Sequence, residues 1–351
     1  MKFNQNYYEE IVTRRQYETV DNLNLQGFSQ NQLKNMWVCH DNGLTFTEFF
    51  KGGVSSIFST GFGLSGEPHV GTISQIIKAI KLQKSGHMVQ IVLGDIDTYK
   101  GKKTDFDYTQ KLVRQYKNFI ELLGFDNNYG VVRSQSEDCS LTVLRTSALT
   151  SIYAADQLFN ESQEDMHSLY VQHNLTENIM TFNRKFSLNL MIADFVDLFI
   201  SNKYENVMIF LGIDEHVYGE GVKKVVGKMK QSDAFGINKM NISALYSGII
   251  KGFNNFPKMS KSFPGSSINL AMSAEDITSR IMNEEGSFLS PEDNVVYQMI
   301  QSASFFDNDE IREAYKACKL NDESWGYWKC RYASELIDML SKWKQLGEKN
   351  V

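Results

Sequence analysis

The sequence predicts an α/β fold: a doubly wound parallel sheet carrying a helical insertion, followed by an all-helical C-terminal domain. Three observations predict it. A β-rich run, "VSSIFST" at 54–60, is followed by a glycine-rich turn, a helical pattern and a second strand, which is how a Rossmann-like nucleotide-binding sheet opens. Two further strand-like runs, "NVMIFLGID" at 206–214 and "ISALYSGII" at 242–250, come only after a mostly helical stretch over 142–204. Beyond 273 only helical patterns remain.

The elements follow in order. Residues 1–50 are polar and weakly patterned and read as a helical or irregular N-terminal extension. The sheet domain then spans 51–268, with its insertion at about 140–200, and the helical domain spans 269–351. After the first strand, Ile73, Ile76, Ile77 and Ile80 recur at helical spacing, with Lys78, Lys81 and Lys84 placed on the other face. Gly86 suits the position just past that helix. "MVQIVLGD" at 88–95 reads as a buried strand, 107–123 as a helix and "GVV" at 130–132 as a short strand. Val222, Val225 and Val226 mark a helix after the 206–214 strand. "SAED" at 273–276 resembles a capping box with Asp in place of Glu. Helical patterns cover 290–303, 307–318 and 324–345, where Trp325, Tyr327, Trp328, Tyr332 and Trp343 are expected to pack the helical domain rather than to stack on bases.

Composition bounds the function. The chain has 351 residues, 42% hydrophobic and 22% charged, an ordinary globular balance. No apolar run reaches the ~18 residues of a membrane span, so no membrane association is expected. The N-terminus has no apolar core of a secretory signal. Four cysteines (Cys39, Cys139, Cys318, Cys330) lie far apart with no metal-ligand spacing, so free thiols in a reducing cytoplasm and no metal site are expected. A net charge of −6 argues against indiscriminate nucleic-acid binding.

Two stretches carry chemistry. In "STGFGLSGEPHVGT", 59–72, Gly61, Gly63 and Gly66 let backbone approach a ligand, and His69 and Gly71 open a helix whose N-terminus favours phosphate. In "FPKMSKSFPGSS", 256–267, Lys258 and Lys261 stand three apart on a serine-rich loop. Such a loop can close over a triphosphate and neutralise the departing pyrophosphate, with Ser260 and Ser262 adding hydroxyl donors.

Taken together, "PHVG" after a first strand and "KMSKS" at 258–262 resemble the two signatures of class I aminoacyl-tRNA synthetases, and the context "KMSKSFPGSSINLAMSAEDI" resembles the tryptophanyl and tyrosyl branch, tryptophanyl above all. The likeness covers roughly 54–340. It implies ATP-dependent formation of an aminoacyl-adenylate with Mg²⁺, transfer to tRNA, and a cytoplasmic homodimer. It implies catalytic roles for His69, Thr72, Lys258 and Lys261. It implies ATP contacts from Gly61, Gly63, Ser65, Gly66, His69, Gly71, Thr72, Gly212, Asp214, Lys258, Met259, Ser260, Lys261 and Ser262. "NLMIADFVDLF" at 189–199 resembles the helix whose aspartate, here Asp194, reaches the polar atom of an aromatic substrate side chain; Met191 lies on the same helix. "FLGIDEHVYGEGVKKV" at 210–225 resembles the G-x-D-Q turn, where Asp214 faces ribose or amino acid beside Glu215. "LGDIDTYKGKK" at 93–103 resembles the second-strand exit, with Asp95 or Asp97 toward the substrate ammonium.

Departures from the pattern bear on specificity. Thr72 stands where the first signature has a second histidine, Leu64 where proline is common, and Glu215 where the G-x-D-Q glutamine belongs. Ser59 and Val92 occupy positions that other tryptophanyl relatives use to read the indole. His216 reads as structural or substrate-lining rather than as a metal ligand, and His167 and His173 receive no role. Two readings follow: a tryptophan-charging enzyme, or a diverged relative that adenylates a different amino acid for biosynthesis or binds ligand without turnover.

Overall fold

The structure is a computed structural model, and it describes residues 5–102, 105–137, 167–174, 182–231 and 234–348. The chain runs α1 (Gln5–Arg15), β1 (Glu18–Thr19), α2 (Gln30–Met36), β2 (Cys39–Asp41), α3 (Gly43–Lys51), β3 (Ser56–Gly63), α4 (Val70–Lys84), β4 (Val89–Gly94), α5 (Asp95–Lys102), α6 (Phe106–Leu122) and β5 (Gly130–Ser134). It continues with α7 (His167–Gln172), α8 (Phe182–Ile200), β6 (Asn206–Gly212), α9 (His216–Gln231), β7 (Asn241–Ser247), α10 (Ala274–Asn283), α11 (Val295–Ser302), α12 (Asn308–Leu320) and α13 (Glu323–Glu348). Most of the expected insertion lies outside the described residues; α7 and α8 are the parts of it that are described.

The sheet has the order β1-β2-β7-β6-β3-β4-β5. Strands β7, β6, β3, β4 and β5 are mutually parallel. Strand β3 lies between β4 and β6, so the winding reverses there and the carboxyl ends open a crevice. The N-terminal segment expected to be helical or irregular carries the helices α1, α2 and α3 and, in addition, part of the sheet. Its strands β1 and β2 extend the sheet antiparallel along β7, with Cys39 opposite Tyr246. Strands this short carry too little pattern to show in a sequence.

Alternation along the strands splits the interior into two cores. Met208 and Phe210 of β6 face one core with α4, α6 and the C-terminal helices. Val207, Ile209 and Leu211 face the other with α1, α8 and α9. Burial on both faces is why β6 reads as an unbroken apolar run. Trp343 of α13 packs edge-on to Tyr116 and Phe119 of α6, at 4.9 and 5.3 Å between centroids. Trp325, Tyr332 and Trp343 are buried, whereas Tyr327 is exposed beside the Arg331 guanidinium.

Other expectations are refined. Gly61 and Gly63 belong to β3 itself, which ends at Gly63, and pair with Val92 and Gly94. A Cβ on Gly61 would sit 3.0 Å from the Val92 carbonyl oxygen, so only glycine fits without a shift. Ser273 caps α10 by accepting from the Asp276 N–H at 3.0 Å. The Asp276 carboxylate accepts a hydrogen bond from the Ser273 hydroxyl instead of closing the box, being one methylene shorter than Glu. Lys78 is 2% exposed rather than on a solvated face.

The N-terminal arm is tied to the sheet by two tyrosines. The Tyr8 hydroxyl accepts from the Ile249 N–H at 2.9 Å, just past β7. Tyr8→Phe is expected to destabilise the fold by about 1–3 kcal/mol, because that buried N–H loses its partner. Urea denaturation measures it, and wild-type stability in the variant would refute the coupling. Tyr17 donates to Glu220 at 2.7 Å, beside His216 and Arg15. Although burial raises the Glu220 carboxyl, hydrogen bonds from His216 and Tyr17 and the Arg15 charge hold it down at about 2. A carboxylate lowered in the folded state stabilises above its unfolded value and loses that contribution as pH falls through the folded one. The stability gap between wild type and Glu220→Gln should therefore close between the ordinary 4.5 and about 2. A gap independent of pH in acid denaturation would contradict this.

Candidate active site

The carboxyl ends of β3, β4, β6 and β7 surround one cleft of about 640 Å³. The two sequence signatures face each other across it. On one side, His69 caps α4: its Nδ1 accepts from the Thr72 N–H at 3.1 Å. The cap holds the imidazole at the helix mouth, where unpaired N–H groups make the local potential positive. On the other side, the loop after β7 carries Lys258 and Lys261 on the cleft wall.

Backbone bonds fix this juxtaposition. Val70 N–H donates to Ile268 at 3.0 Å and Leu270 N–H to Pro68 at 2.9 Å, flanking an antiparallel bridge between His69 and Asn269. The chain leaving the lysine loop is thus stitched to the entry of α4. Within the loop, Met259 N–H donates to Ile250 at 3.0 Å, Ser260 N–H donates to Ser266 Oγ at 3.0 Å, and that hydroxyl donates to the Ser260 carbonyl at 3.2 Å. Lys258 forms an ion pair with buried Asp214, and Lys261 donates to the Gly66 carbonyl at 3.2 Å.

Most of the residues singled out in the sequence are brought together. Gly61, Gly63, Ser65, His69, Gly71 and Thr72 line the cleft from the α4 side. Gly212, Asp214, Glu215, Lys258, Met259, Ser260, Lys261 and Ser262 line it from the opposite side. Asp97, Met191 and Asp194 line its inner end. Gly66 is not on the wall; its carbonyl is taken by Lys261 and by the Tyr116 hydroxyl. Asp95 must be withdrawn from the substrate-facing set. It is fully buried, accepts from Gln110 Nε2 at 2.7 Å and from the Ser136 N–H at 3.2 Å, and braces the β5 exit against α6. Of the two strand-exit aspartates, the cleft receives Asp97. His216 is buried under Tyr17, off the cleft wall, and is structural.

Asp194 is the centre of a buried network. Arg133 Nη2 lies 2.7 Å from Oδ1 and Gln135 Nε2 2.8 Å from Oδ2. Arg133 also donates to Gln90, which donates to Ser59. Burial raises the Asp194 carboxyl above its ordinary range, more than Arg133 and Gln135 lower it. Sequence reading missed Arg133 and Gln135 because their meeting with Asp194 is made by the sheet edge, not by a motif. It also missed His167, Tyr170, Ser187 and Gln75, which line the cleft from α7, α8 and α4. The Tyr170 hydroxyl lies 3.4 Å from Ser260 Oγ, and its ring stacks on Phe263 at 5.9 Å. Val92 is on the wall, while Ser59 is behind it. Among the described residues, no three His, Cys, Asp or Glu side chains gather to hold a metal, and no helix is long and apolar enough to cross a membrane.

The fold and the family are shown by comparison with known proteins. The fold is similar to tryptophanyl-tRNA synthetase from Aeropyrum pernix, with a TM-score of 0.75 at 17% identity, covering 99% of this chain and 94% of that one. It is also similar to tyrosyl-tRNA synthetase from Archaeoglobus fulgidus, with a TM-score of 0.69 at 15% identity over 90% and 98% of the two chains. In sequence it resembles the tyrosine–tRNA ligase of Methanococcoides burtonii, 29% identical over 107 residues, which are 29% of this chain and 34% of that protein. The corresponding ligase of Methanocaldococcus jannaschii is 32% identical over 97 residues, 27% of this chain and 32% of the relative. The matched stretch thus spans about a third of the curated relatives' length. The model of the family "tRNA synthetases class I (W and Y)" matches residues 53–342, and the chain belongs to that family.

Proposed function

We propose that the protein activates an amino acid with ATP, forming an aminoacyl-adenylate and pyrophosphate, and passes the aminoacyl group to tRNA. The supporting observation is that His69 at the mouth of α4 and the Lys258–Lys261 loop line one cleft from opposite sides. In the reaction a carboxylate oxygen of the amino acid attacks the α-phosphorus in line, and the bond to the β-phosphate oxygen breaks. Two anions must meet, so the walls must supply positive potential. The α4 mouth and Thr72 would hold the triphosphate, while Lys258 and Lys261 would follow the charge onto the leaving pyrophosphate. Asp97 would pair the substrate ammonium. Mg²⁺ would enter with the triphosphate and share in neutralising it; oxygen donors suited to it (Asp97, Asp214, Glu215) are on the wall.

Tryptophan is the amino acid proposed first, with Asp194 reading its side chain. A second reading, adenylation of a different amino acid, is favoured by Glu215 on the cleft wall where the family pattern has an amide. The tRNA would be met by the C-terminal helices, where Tyr327 is exposed for stacking, and the working unit would be a cytoplasmic homodimer. Pyrophosphate exchange with each amino acid in turn tests the proposal. Exchange with tryptophan supports the first reading, and exchange only with another amino acid supports the second. No exchange with any amino acid would remove the catalytic assignment. A gel shift with total tRNA tests the partner.

A further inference from the structure

The family model begins its match at residue 53, and α1 lies before it. This helix nevertheless reaches the chain that builds the cleft. The Tyr8 hydroxyl accepts from the Ile249 N–H at 2.9 Å and donates to the Ile249 carbonyl at 3.4 Å, where the chain has just left β7. Gly248, Ile249 and Ile250 line the cleft and Tyr8 does not, so the bond is made from outside the wall. The next residue carries the contact onward. The Ile250 carbonyl accepts from the Met259 N–H at 3.0 Å, which sets the register between the entry of the loop and Lys258.

Lys258 is also approached through its side chain. Its amine is paired with Asp214, and the Asp214 charge acts on the Tyr8 hydroxyl. Burial pushes that phenol up to about 12; the Ile249 N–H opposes the rise and Asp214 adds to it. Tyr8 thus stands near both the backbone that carries Lys258 and the carboxylate that holds its amine. The arm itself is fixed. Tyr7 and Ile11 of α1 are buried in the core shared with α8 and α9. Past the end of α1, Tyr17 stacks on Tyr246 of β7 at 5.0 Å between centroids and donates to Glu220 at 2.7 Å, with Arg15 at 3.3 Å from the same carboxylate. Glu220 is on α9, the helix that follows Asp214 and Glu215. Anchored on β7 and on α9, the arm presents Tyr8 on a rigid element, as the support of a reacting group requires.

We propose that Tyr8 is a positioning residue for adenylate formation: through Ile249 and the Ile250–Met259 bond it sets where Lys258 stands as charge moves onto the pyrophosphate. The proposal rests on the adenylation reading of the cleft and adds to it a part of the chain outside the family match. A cation stabilises a transition state only when it is held where the charge develops. A displacement of about 1 Å caused by a remote change can cost about two orders of magnitude. Loss of the Tyr8 hydroxyl leaves the Ile249 N–H without this partner and lets the loop entry shift.

A double-mutant cycle on the full chain tests it, read by single-turnover adenylate formation at saturating ATP and amino acid. Tyr8→Phe is expected to lower the rate about tenfold and to change ATP affinity, measured by calorimetry, by less than a factor of about two. In a Lys258→Ala background the same change is expected to cost less than about twofold, because the group it positions is gone. A rate unchanged by Tyr8→Phe, or an equal loss in both backgrounds, would overturn the proposal; the equal loss is what a merely structural role produces. If wild type forms no adenylate with any amino acid, the adenylation reading fails and this inference with it. Should Tyr8→Phe not fold, Tyr17→Phe takes its place in the cycle, since it loosens the arm at Glu220 and keeps the partner of Ile249.

Discussion

Lys258→Ala and Lys261→Ala are each expected to lower the rate of adenylate formation by a factor of about 10²–10³, the usual cost of removing one preorganised contact to transition-state charge. The structure explains why the loss should fall on turnover rather than on ATP affinity. Lys258 is held by Asp214 and Lys261 by the Gly66 carbonyl, each with a partner before any phosphate is present. Exchanging those partners for a triphosphate brings little net binding. The gain comes when negative charge accumulates on the leaving pyrophosphate, which no longer shares it with the α-phosphorus. Single-turnover kinetics with saturating ATP measure the effect. Unchanged rates in both variants would remove the loop from the chemistry, whatever its position.

The second large effect is on stability. Removing one member of the Arg133–Asp194 pair leaves the other charge in the interior, and Arg133→Met should destabilise the fold by about 3–5 kcal/mol. The double variant Arg133→Met/Asp194→Leu should recover most of that loss, because the desolvated charge goes with its partner. The sign of the pH dependence follows from Asp194, whose carboxyl is raised by burial. A carboxyl raised in the folded state stabilises fully below its unfolded value and loses that contribution as pH rises through the folded one. Without the Arg133 charge to oppose burial, the penalty in Arg133→Met should grow with rising pH and shrink toward acid. Urea denaturation across pH decides it; a penalty below 1 kcal/mol at neutral pH, on the scale of an exposed pair, would show that the pair is solvated. Asp194→Ala should also broaden amino-acid selectivity in pyrophosphate exchange. It cannot be expected to leave the fold untouched, because Arg133 depends on Asp194 for its charge partner. Unaltered selectivity would mean that another group reads the side chain.

Much of this was legible in the residues themselves. Strands β3, β4, β6 and β7 and helices α4 and α6 announce themselves by unbroken apolar runs or by 3.6-residue spacing, because each buries enough side chains to leave a pattern. The glycine turn before α4 and the "KMSKS" loop are local devices: their function depends on neighbours in the chain, so they can be recognised there. The misreadings have a common physical cause. Lys78 sits among lysines spaced for an outer face, yet it is buried, and its Nζ reaches Ser74, whose hydroxyl bonds the Ser302 carbonyl at the end of α11. Asp95 and Asp97 are indistinguishable as letters; the turn into α5 sends one toward Gln110 and the other into the cleft.

By itself, the sequence determined the order of strands from β3 to β7, the helix mouth that can hold phosphate and the pair of lysines that can answer it, since these rest on contacts between near neighbours. Only the tertiary structure decided that β1 and β2 complete the sheet, that Arg133 and Gln135 hold Asp194, and that Tyr8 meets the chain at the exit of β7. Those outcomes come from sheet order and helix packing between segments distant in the chain, and the free energy of such contacts leaves no periodicity in the residues that make them.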